Sequence, residues 1–262
     1  MASFPYKTVL VIGATSGIGL ALAEKMLENG CYVIASGRRQ ENLDALVTKY
    51  GAEKVAGVKF DITDLNGIPG FAESVTKAHP TLDCVILNSG IQRPLDFTQP
   101  ASIDLPMISE EFNTNYLAHV HLTTAFLPFL REASRPVSLI YTTSGLALVP
   151  ILRCGNYCAS KAAMHHLILV LREQLRGSNV KVIEIMPPAV QTELHDEDKQ
   201  PDIKNGRTMG MPLNEFTKET WEGLCAGKDD IPVGTTKRSY DAFETKRQEI
   251  MGSVVKMMQE AK

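Results

Sequence analysis

A short apolar strand that runs directly into a glycine-rich turn constrains this sequence more than any other feature. Residues 8–12 read Thr-Val-Leu-Val-Ile, residues 13–19 read Gly-Ala-Thr-Ser-Gly-Ile-Gly, and apolar residues at helical spacing follow over 20–27. The β-branched run predicts a buried strand, and the later periodicity predicts a helix that ends at Asn29-Gly30. A glycine turn at a helix N-terminus exposes backbone N–H groups and the positive end of the helix dipole, which bind phosphate. The segment therefore predicts a nucleotide-binding strand–turn–helix unit rather than a plain tight turn.

The rest of the chain alternates between apolar strands and amphipathic helices. The predicted strands after the first cover 31–35, 55–60, 84–87, 137–142, 180–185 and 230–233, and the predicted helices include 41–50, 67–78, 109–129 and 157–175. Such alternation predicts a parallel sheet covered on both faces, and right-handed crossovers make it doubly wound. Residues 1–262 contain no linker or repeat, so we expect a single Rossmann-like α/β domain with ligands at the carboxyl ends of the strands.

Composition narrows the class of protein. The 262 residues are 44% hydrophobic and 22% charged with a net charge of −3, and no basic run favours nucleic acid or an anionic membrane. No apolar stretch reaches the roughly 18 residues of a membrane span, and the N-terminal residues do not read as a signal peptide. The five cysteines are odd in number and scattered, which favours reduced thiols in a cytoplasmic protein. No His or Cys spacing predicts a metal site.

The end of the second strand bears on the choice of cofactor. An acidic residue there would bond the 2′-hydroxyl of an adenosine ribose and select NAD, but this chain has Ser36 followed by Arg38 and Arg39. Guanidinium groups pair with a 2′-phosphate, so the sequence predicts NADP, although one of the two arginines is expected to be merely solvated. Asp61 closes the third strand, where it would either meet the adenine amino group or cap the following turn.

A tyrosine and a lysine suggest proton chemistry. Tyr157 and Lys161 are four residues apart in a predicted helix, so the ammonium can approach the phenol on one helix face. A phenol has a pKa of about 10, and acid–base work near neutrality needs a nearby cation. The same spacing recurs at Tyr50 and Lys54, but Gly51 ends that helix. Only the first pair has a hydroxyl residue upstream after a strand, which is Ser144.

Together these segments resemble the short-chain dehydrogenase/reductase family over about 8–192. The turn matches the family's G-x-x-x-G-x-G spacing, Asn88-Ser89-Gly90 resembles its Asn-Ala-Gly, and residues 187–192 resemble its Pro-Gly-x-Val-x-Thr with Pro188 in place of glycine. The resemblance implies four catalytic residues, Asn115, Ser144, Tyr157 and Lys161. It also completes a set of predicted cofactor-binding residues, which are Gly13, Thr15, Ser16, Gly17, Ile18, Gly19, Ser36, Arg38, Arg39, Asp61, Ile62, Asn88, Ser89, Gly90, Tyr157, Lys161, Pro187, Val190 and Thr192.

The resemblance further implies what these residues do. Tyr157 would exchange the substrate hydroxyl proton, Lys161 would lower the tyrosine pKa and hold the nicotinamide ribose, and Ser144 would bond the developing alkoxide. Asn115 would fix a water that relays the proton. We therefore expect an NADP(H)-dependent carbonyl reductase that forms a homodimer or homotetramer. A non-redox enzyme of the same fold, such as an isomerase or cyclase, and a non-enzymatic NADP-binding regulator stay open as alternatives.

Two segments outside the shared motifs are expected to shape the substrate site. Residues 191–221 resemble the family's variable substrate lid, and residues 237–260 predict a C-terminal helix that either docks on its own domain or forms a subunit interface. The lid's Met209, Met211, Phe216 and Trp221 would either line an apolar pocket or seat the lid on the core. The other residues expected to border the substrate are Leu146, Leu148, Val149, Arg153 and Cys154. Gln92 and Arg93 would either meet an acidic substrate or lie in a solvated loop.

Overall fold

A seven-stranded parallel sheet forms the centre of the computed structural model, which describes residues 3–260. Its strand order is β3-β2-β1-β4-β5-β6-β7. The strands are β1 (Thr8–Ile12), β2 (Tyr32–Gly37), β3 (Val55–Lys59), β4 (Cys84–Leu87), β5 (Val137–Thr142), β6 (Val180–Met186) and β7 (Asp230–Pro232). The order reverses at β1, which pairs with β2 on one side and β4 on the other, and ligands of doubly wound sheets bind at such a point.

Helices cover both faces of this sheet. They are α1 (Gly17–Glu28), α2 (Gln40–Tyr50), α3 (Ile68–Ala78), α4 (Leu105–Phe112), α5 (Ala118–Glu132), α6 (Gly155–Gln174), α7 (Leu213–Cys225), α8 (Thr236–Ser239) and α9 (Thr245–Glu260). One apolar cluster packs α1, α2 and α7 against one face, and a second packs α3, α5 and α6 against the other. The central strands β1, β4 and β5 are buried at every position, as a strand between two helical layers must be. The Rossmann-like fold class predicted from sequence is confirmed.

The predicted single helix over 109–129 was wrong in its start and its regularity. Helix α4 begins four residues earlier, because Asp104 caps it by accepting a bond from the backbone N–H of Met107. A π-helical segment, Asn113–Leu117, then joins α4 to α5. Segments of this kind often occur at functional sites, and this one contains Asn115.

The two segments outside the shared motifs adopt different structures. The lid region contains two short 3₁₀ turns and helix α7, whose Phe216 is completely buried in the core. A second π-helical segment, Tyr240–Glu244, joins α8 to α9, and α9 has no buried residue. Phe216 and Trp221 therefore seat the lid on the core, which is one of the two alternatives left open by the sequence.

Candidate active site

A cavity of about 1020 Å³ opens at the carboxyl ends of the strands, beside the point where the strand order reverses. It extends from the glycine turn to the start of α6. Every predicted cofactor or catalytic residue lines it except Gly19, Ser36 and Asn115. The fold thus brings the two halves of the predicted site to one surface.

The glycine turn is held in shape by contacts that only glycine allows. Gly13 and Gly17 have φ angles of +85° and +54°, in the left-handed region that other residues rarely adopt. A Cβ atom on Gly19 would lie 2.1 Å from the carbonyl oxygen of Gly13, so the first turn of α1 packs directly on the end of β1. The side chain of Ser16, the N-cap residue, makes no capping bond. The helix N-terminus is therefore available to a phosphate, and the turn fits a dinucleotide.

The residues expected to select the cofactor do not all face the cavity. The side chain of Ser36 is buried and its hydroxyl has no hydrogen-bond partner, while its carbonyl oxygen accepts bonds of 2.9 Å from the N–H groups of Gly13 and Ala14. Ser36 therefore supports the glycine turn through its backbone, and the expectation that it faces the ribose was wrong. The reason is that β2 continues to Gly37, so Ser36 lies inside the strand.

Arg38 and Arg39 have different surroundings. The Arg38 side chain is 64% exposed and lies 4.0 Å from Asp61, so it is free to meet a ligand. Arg39 instead donates to the hydroxyl of Thr15 and pairs with Glu193 at 2.8 Å across the mouth of the cavity. Asp61 accepts bonds from the backbone and hydroxyl of Thr63, as expected of a cap, and still lines the cavity.

The predicted catalytic residues converge where β5 ends and α6 begins. Tyr157 is buried, and the ammonium of Lys161 lies 5.7 Å from the centre of its ring. Lys161 donates a hydrogen bond of 2.9 Å to the carbonyl oxygen of Thr142. Ser144 is the N-cap of a short 3₁₀ turn and accepts a bond of 3.1 Å from the N–H of Leu146. One helix face and one strand end therefore hold all three side chains beside the cavity.

Burial governs the ionisation of this cluster. It raises the pKa of Tyr157 well above 10, although the Ser144 hydroxyl lowers it as a hydrogen-bond partner of the phenol. Burial lowers the pKa of Lys161 to about 8, against the opposing effect of the carboxylates of Glu184 and Glu111. Burial of the phenol is the largest influence on this pKa, and the lowering effect predicted for Lys161 stays a prediction. Tyr157 is therefore a neutral hydroxyl near pH 7.

Asn115 lies behind the cavity rather than in it. Its side chain accepts a bond of 2.9 Å from the N–H of Ile91, and donates bonds to the carbonyl oxygen of Ile91 and the hydroxyl of Ser160. A Cβ atom on Gly90 would lie 3.3 Å from the Asn115 side-chain oxygen and 3.4 Å from the Lys161 ammonium. The asparagine thus fixes the segment that follows β4 against α6. The predicted water relay stays a prediction.

The segment after β6 forms the opposite wall of the cavity. The carbonyl oxygen of Pro187 accepts a bond from Gly145, and Val190 pairs with Met211 as an isolated bridge. Pro188 packs against Gly234, whose positive φ and lack of a side chain make room for the proline ring. Thr192 would contact any side chain added at Gly17, so this wall meets the glycine turn.

The substrate end is only partly the one expected from sequence. Among the residues predicted there, those that line the cavity are Gln92, Arg93, Leu146, Val149, Arg153 and Met209. Leu148, Cys154, Met211, Phe216 and Trp221 are not part of the lining. Arg153 forms a bidentate ion pair with Asp202 of the lid, so it ties the lid to the start of α6. Buried His195, also from the lid, adds a polar group to the lining.

Sequence reasoning missed several other residues of the cavity wall. Thr235, Thr236, Arg238 and Ser239 reach it from the start of the C-terminal helical region, and Glu193 reaches it through its pair with Arg39. Only Glu193 had a usable signal, since it directly follows Thr192 of a recognised motif. The C-terminal residues carry no motif, and the fold alone brings them to the site.

The described part of the chain offers neither a metal site nor a membrane span. Residues 3–260 contain no group of three or more His, Cys, Asp or Glu side chains that could hold a metal ion. In that range no helix has the length and apolar character needed to cross a membrane. The five cysteines are free thiols, and four of them are buried.

Several known proteins have sequences similar to that of this chain. The family model described as short chain dehydrogenase matches residues 7–202. The chain is 35% identical over 225 residues to the uncharacterised oxidoreductase DltE of Bacillus subtilis, covering 86% of each chain. It is 26% identical over 216 residues to benzil reductase ((S)-benzoin forming) IRC24 of Saccharomyces cerevisiae, covering 81% of this chain and 82% of the relative.

Solved structures with similar folds carry either nicotinamide cofactor. A short-chain dehydrogenase from Sphingobium yanoikuyae in complex with NADPH superposes with a TM-score of 0.79 at 24% identity, over 94% of this chain and 95% of that one. A short-chain dehydrogenase/reductase from Burkholderia phymatum in complex with NAD gives a TM-score of 0.77 at 21% identity, over 88% and 90%. With the match to the family model, this chain therefore belongs to the short-chain dehydrogenase family of oxidoreductases.

Proposed function

We propose that this protein is an NADP(H)-dependent carbonyl reductase that acts on a small molecule. The observation that carries the proposal is the position of Tyr157, Ser144 and Lys161 on the same cavity as a glycine turn that fits a dinucleotide phosphate. A neutral phenol beside a hydroxyl donor and an ammonium group is suited to protonate an oxygen that gains negative charge.

Each side chain has a role in that proton transfer. Tyr157 donates its hydroxyl proton to the substrate oxygen, and its raised pKa keeps the proton in place until negative charge develops there. Ser144 donates a second hydrogen bond to the same oxygen. Lys161, held by Thr142, stabilises the tyrosinate left behind. Bound NADPH would supply the hydride to the carbonyl carbon.

Three observations support NADP over NAD. β2 is followed by Arg38, whose exposed guanidinium is able to pair with a 2′-phosphate. The residues that line the cavity at the end of β2, Gly37, Arg38 and Arg39, include no carboxylate that would repel that phosphate. A structurally similar enzyme was solved with NADPH, although another holds NAD. These observations favour a contact between Arg38 and the 2′-phosphate at the mouth of the cavity.

The proposed assembly is a homodimer or homotetramer. A shallow groove of about 690 Å³ lies between α5 and α6, and its lining is largely apolar, with Val120, Leu127, Leu167 and Leu171. Val170 on the same helix is 42% exposed. Apolar side chains that stay partly exposed along two neighbouring helices are suited to pack against the same helices of a second copy. The free thiols support the proposed cytoplasmic location.

A substrate screen tests the activity. Ketones, aldehydes, diketones and quinones are incubated with the protein and NADPH, and then with NADH, while cofactor absorbance and product formation are followed together. The proposal expects one alcohol formed per NADPH consumed, and faster turnover with NADPH than with NADH. Product formed without net loss of NADPH would indicate the non-redox alternative, and binding of NADPH without turnover would indicate a regulator.

A further inference from the structure

Behind the catalytic residues lies a row of buried charged side chains that the proposed mechanism does not use. His165, Glu184 and Glu244 are all completely inaccessible to solvent. The imidazole Nδ1 of His165 lies 2.8 Å from Glu184 on β6, and its Nε2 lies 3.1 Å from Glu244 in the π-helical segment before α9. Glu244 also pairs with Arg247, which is partly exposed on α9. Buried charges are costly, so a row of this kind needs a cause beyond packing.

The row reaches the catalytic lysine through Glu184. The hydroxyl of Thr143 donates a hydrogen bond to the Glu184 carboxylate, and its backbone N–H donates one to the carbonyl oxygen of Ile185. Thr143 lies directly between Thr142, whose carbonyl oxygen accepts the bond from Lys161, and the catalytic Ser144. Glu184 therefore fastens the strand end that presents both groups. The signs alternate along the row, from Lys161 through the imidazolium to the guanidinium at the surface.

The protonation states along the row follow from these contacts. Burial alone would lower the pKa of His165, but the carboxylates of Glu184 and Glu244 outweigh it and raise the pKa to about 9. His165 is therefore an imidazolium near pH 7, and its hydrogen bond helps to lower the pKa of Glu244 against the effect of burial.

Lys161 is surrounded by groups from four elements. Glu184 on β6 and Glu111 on α4 favour its protonated form, while burial opposes it. His119 on α5 is neutral near pH 7, because burial and then Lys161 lower its pKa to about 3. Tyr157 and the imidazolium of His165 are on α6 itself, and only the imidazolium is charged. The two carboxylates are therefore the groups that keep the lysine charged.

We propose, building on the function proposed above, that Glu184 is a positioning residue for Lys161. Its buried carboxylate, held by His165, whose other ring nitrogen bonds Glu244, keeps the catalytic ammonium charged and fixes the strand end that binds it. The row also extends this support to the C-terminal helix, so that α9 is anchored to the catalytic lysine through Glu244 and Arg247.

The test is the pH dependence of E184Q, measured in turnover and in NADPH binding by fluorescence titration. Removing the carboxylate lowers the pKa of Lys161, so the alkaline limb of kcat/KM, and the pH above which NADPH binding weakens, should both move down by about one pH unit. E184D retains the charge and should restore most of the original limb. E244Q is the matched control, since it removes a buried glutamate that His165 separates from Lys161, and it should move the limb by less than half as much.

Several outcomes would overturn the proposal. If the alkaline limb of kcat/KM stays in place in E184Q, or moves by the same amount in E244Q, the two glutamates act on folding alone. Should E184Q fail to fold, the double variant E184M/H165M replaces the ion pair by packed apolar side chains. Because this variant also removes the positive charge of His165, a smaller downward shift of the alkaline limb is required of it. Because the binding measurement needs no substrate, it tests Glu184 even where no carbonyl compound turns over, which would refute only the proposed function.

Discussion

Replacement of Gly19 by alanine tests whether the glycine turn is a rigid cradle for the cofactor. The new Cβ atom would lie 2.1 Å from the carbonyl oxygen of Gly13 and 2.6 Å from the side-chain nitrogen of Asn88. Carbon and oxygen atoms need at least about 3 Å, so the start of α1 and the end of β1 must separate by about 1 Å. Both sides of this contact are backbone in a buried region, which makes the movement costly.

The expected loss follows from that displacement. A shift of about 1 Å in a preorganised site should weaken NADPH binding on the order of 100-fold, or by about 2.7 kcal/mol. Overpacking of this kind should also lower the free energy of unfolding by about 1–3 kcal/mol. NADPH binding is measured by fluorescence titration and unfolding by denaturant. The matched control is Gly70→Ala in α3, where nothing lies within 4 Å of the new Cβ, so binding should be unchanged and stability should rise by about 0.5–1 kcal/mol. Wild-type affinity in Gly19→Ala would refute the close-packed turn as the origin of binding.

Two further substitutions test the cavity mouth and the lid. Arg38→Ala should raise the Kd for NADPH about tenfold and leave the Kd for NADH unchanged. The reason is that a charge-assisted hydrogen bond is worth about 1.5–3 kcal/mol, and the one from Arg38 is partly solvated. Equal effects on both cofactors would contradict a 2′-phosphate contact. Phe216→Ala removes a completely buried ring that fixes α7 to the core. It should therefore lower the free energy of unfolding by about 3–5 kcal/mol and the Tm by roughly 10 °C. A change in Tm of under about 2 °C in a thermal melt would show that Phe216 does not fix α7 to the core.

The parts of the molecule that were predictable are those with a strong local pattern. The run Thr8–Ile12 has only one reasonable structure, because five apolar or β-branched residues before a glycine turn are buried wherever they lie in a parallel sheet. Tyr157 and Lys161 were predictable for a similar reason, since helical spacing alone places them on one face. The surroundings of these two side chains were less predictable. The pKa of Tyr157 depends on how deeply the fold buries it, which the spacing does not determine.

The parts that were not predictable depend on tertiary contacts. Ser36 carries a small polar side chain, and whether it faces a ligand or the interior depends on where β2 ends. The π-helical segment around Asn115 departs from regular helix while its side chain bonds the distant backbone of Ile91. Glu184 did leave a trace, as the one charged residue of the otherwise apolar run 182–186, but its partners His165 and Glu244 are 19 and 60 residues away along the chain.

The central claim is that Tyr157 transfers the proton while the rest of the cavity holds the cofactor, and Tyr157→Phe tests it most directly. Removing one hydroxyl leaves the ring, its packing and the Lys161 contacts in place, so the Kd for NADPH should stay within about threefold of the wild type. Without the proton donor, kcat for carbonyl reduction should fall by 10²–10⁴-fold, the range for a general acid. Turnover within about tenfold of the wild type, at unchanged NADPH affinity, would contradict the account.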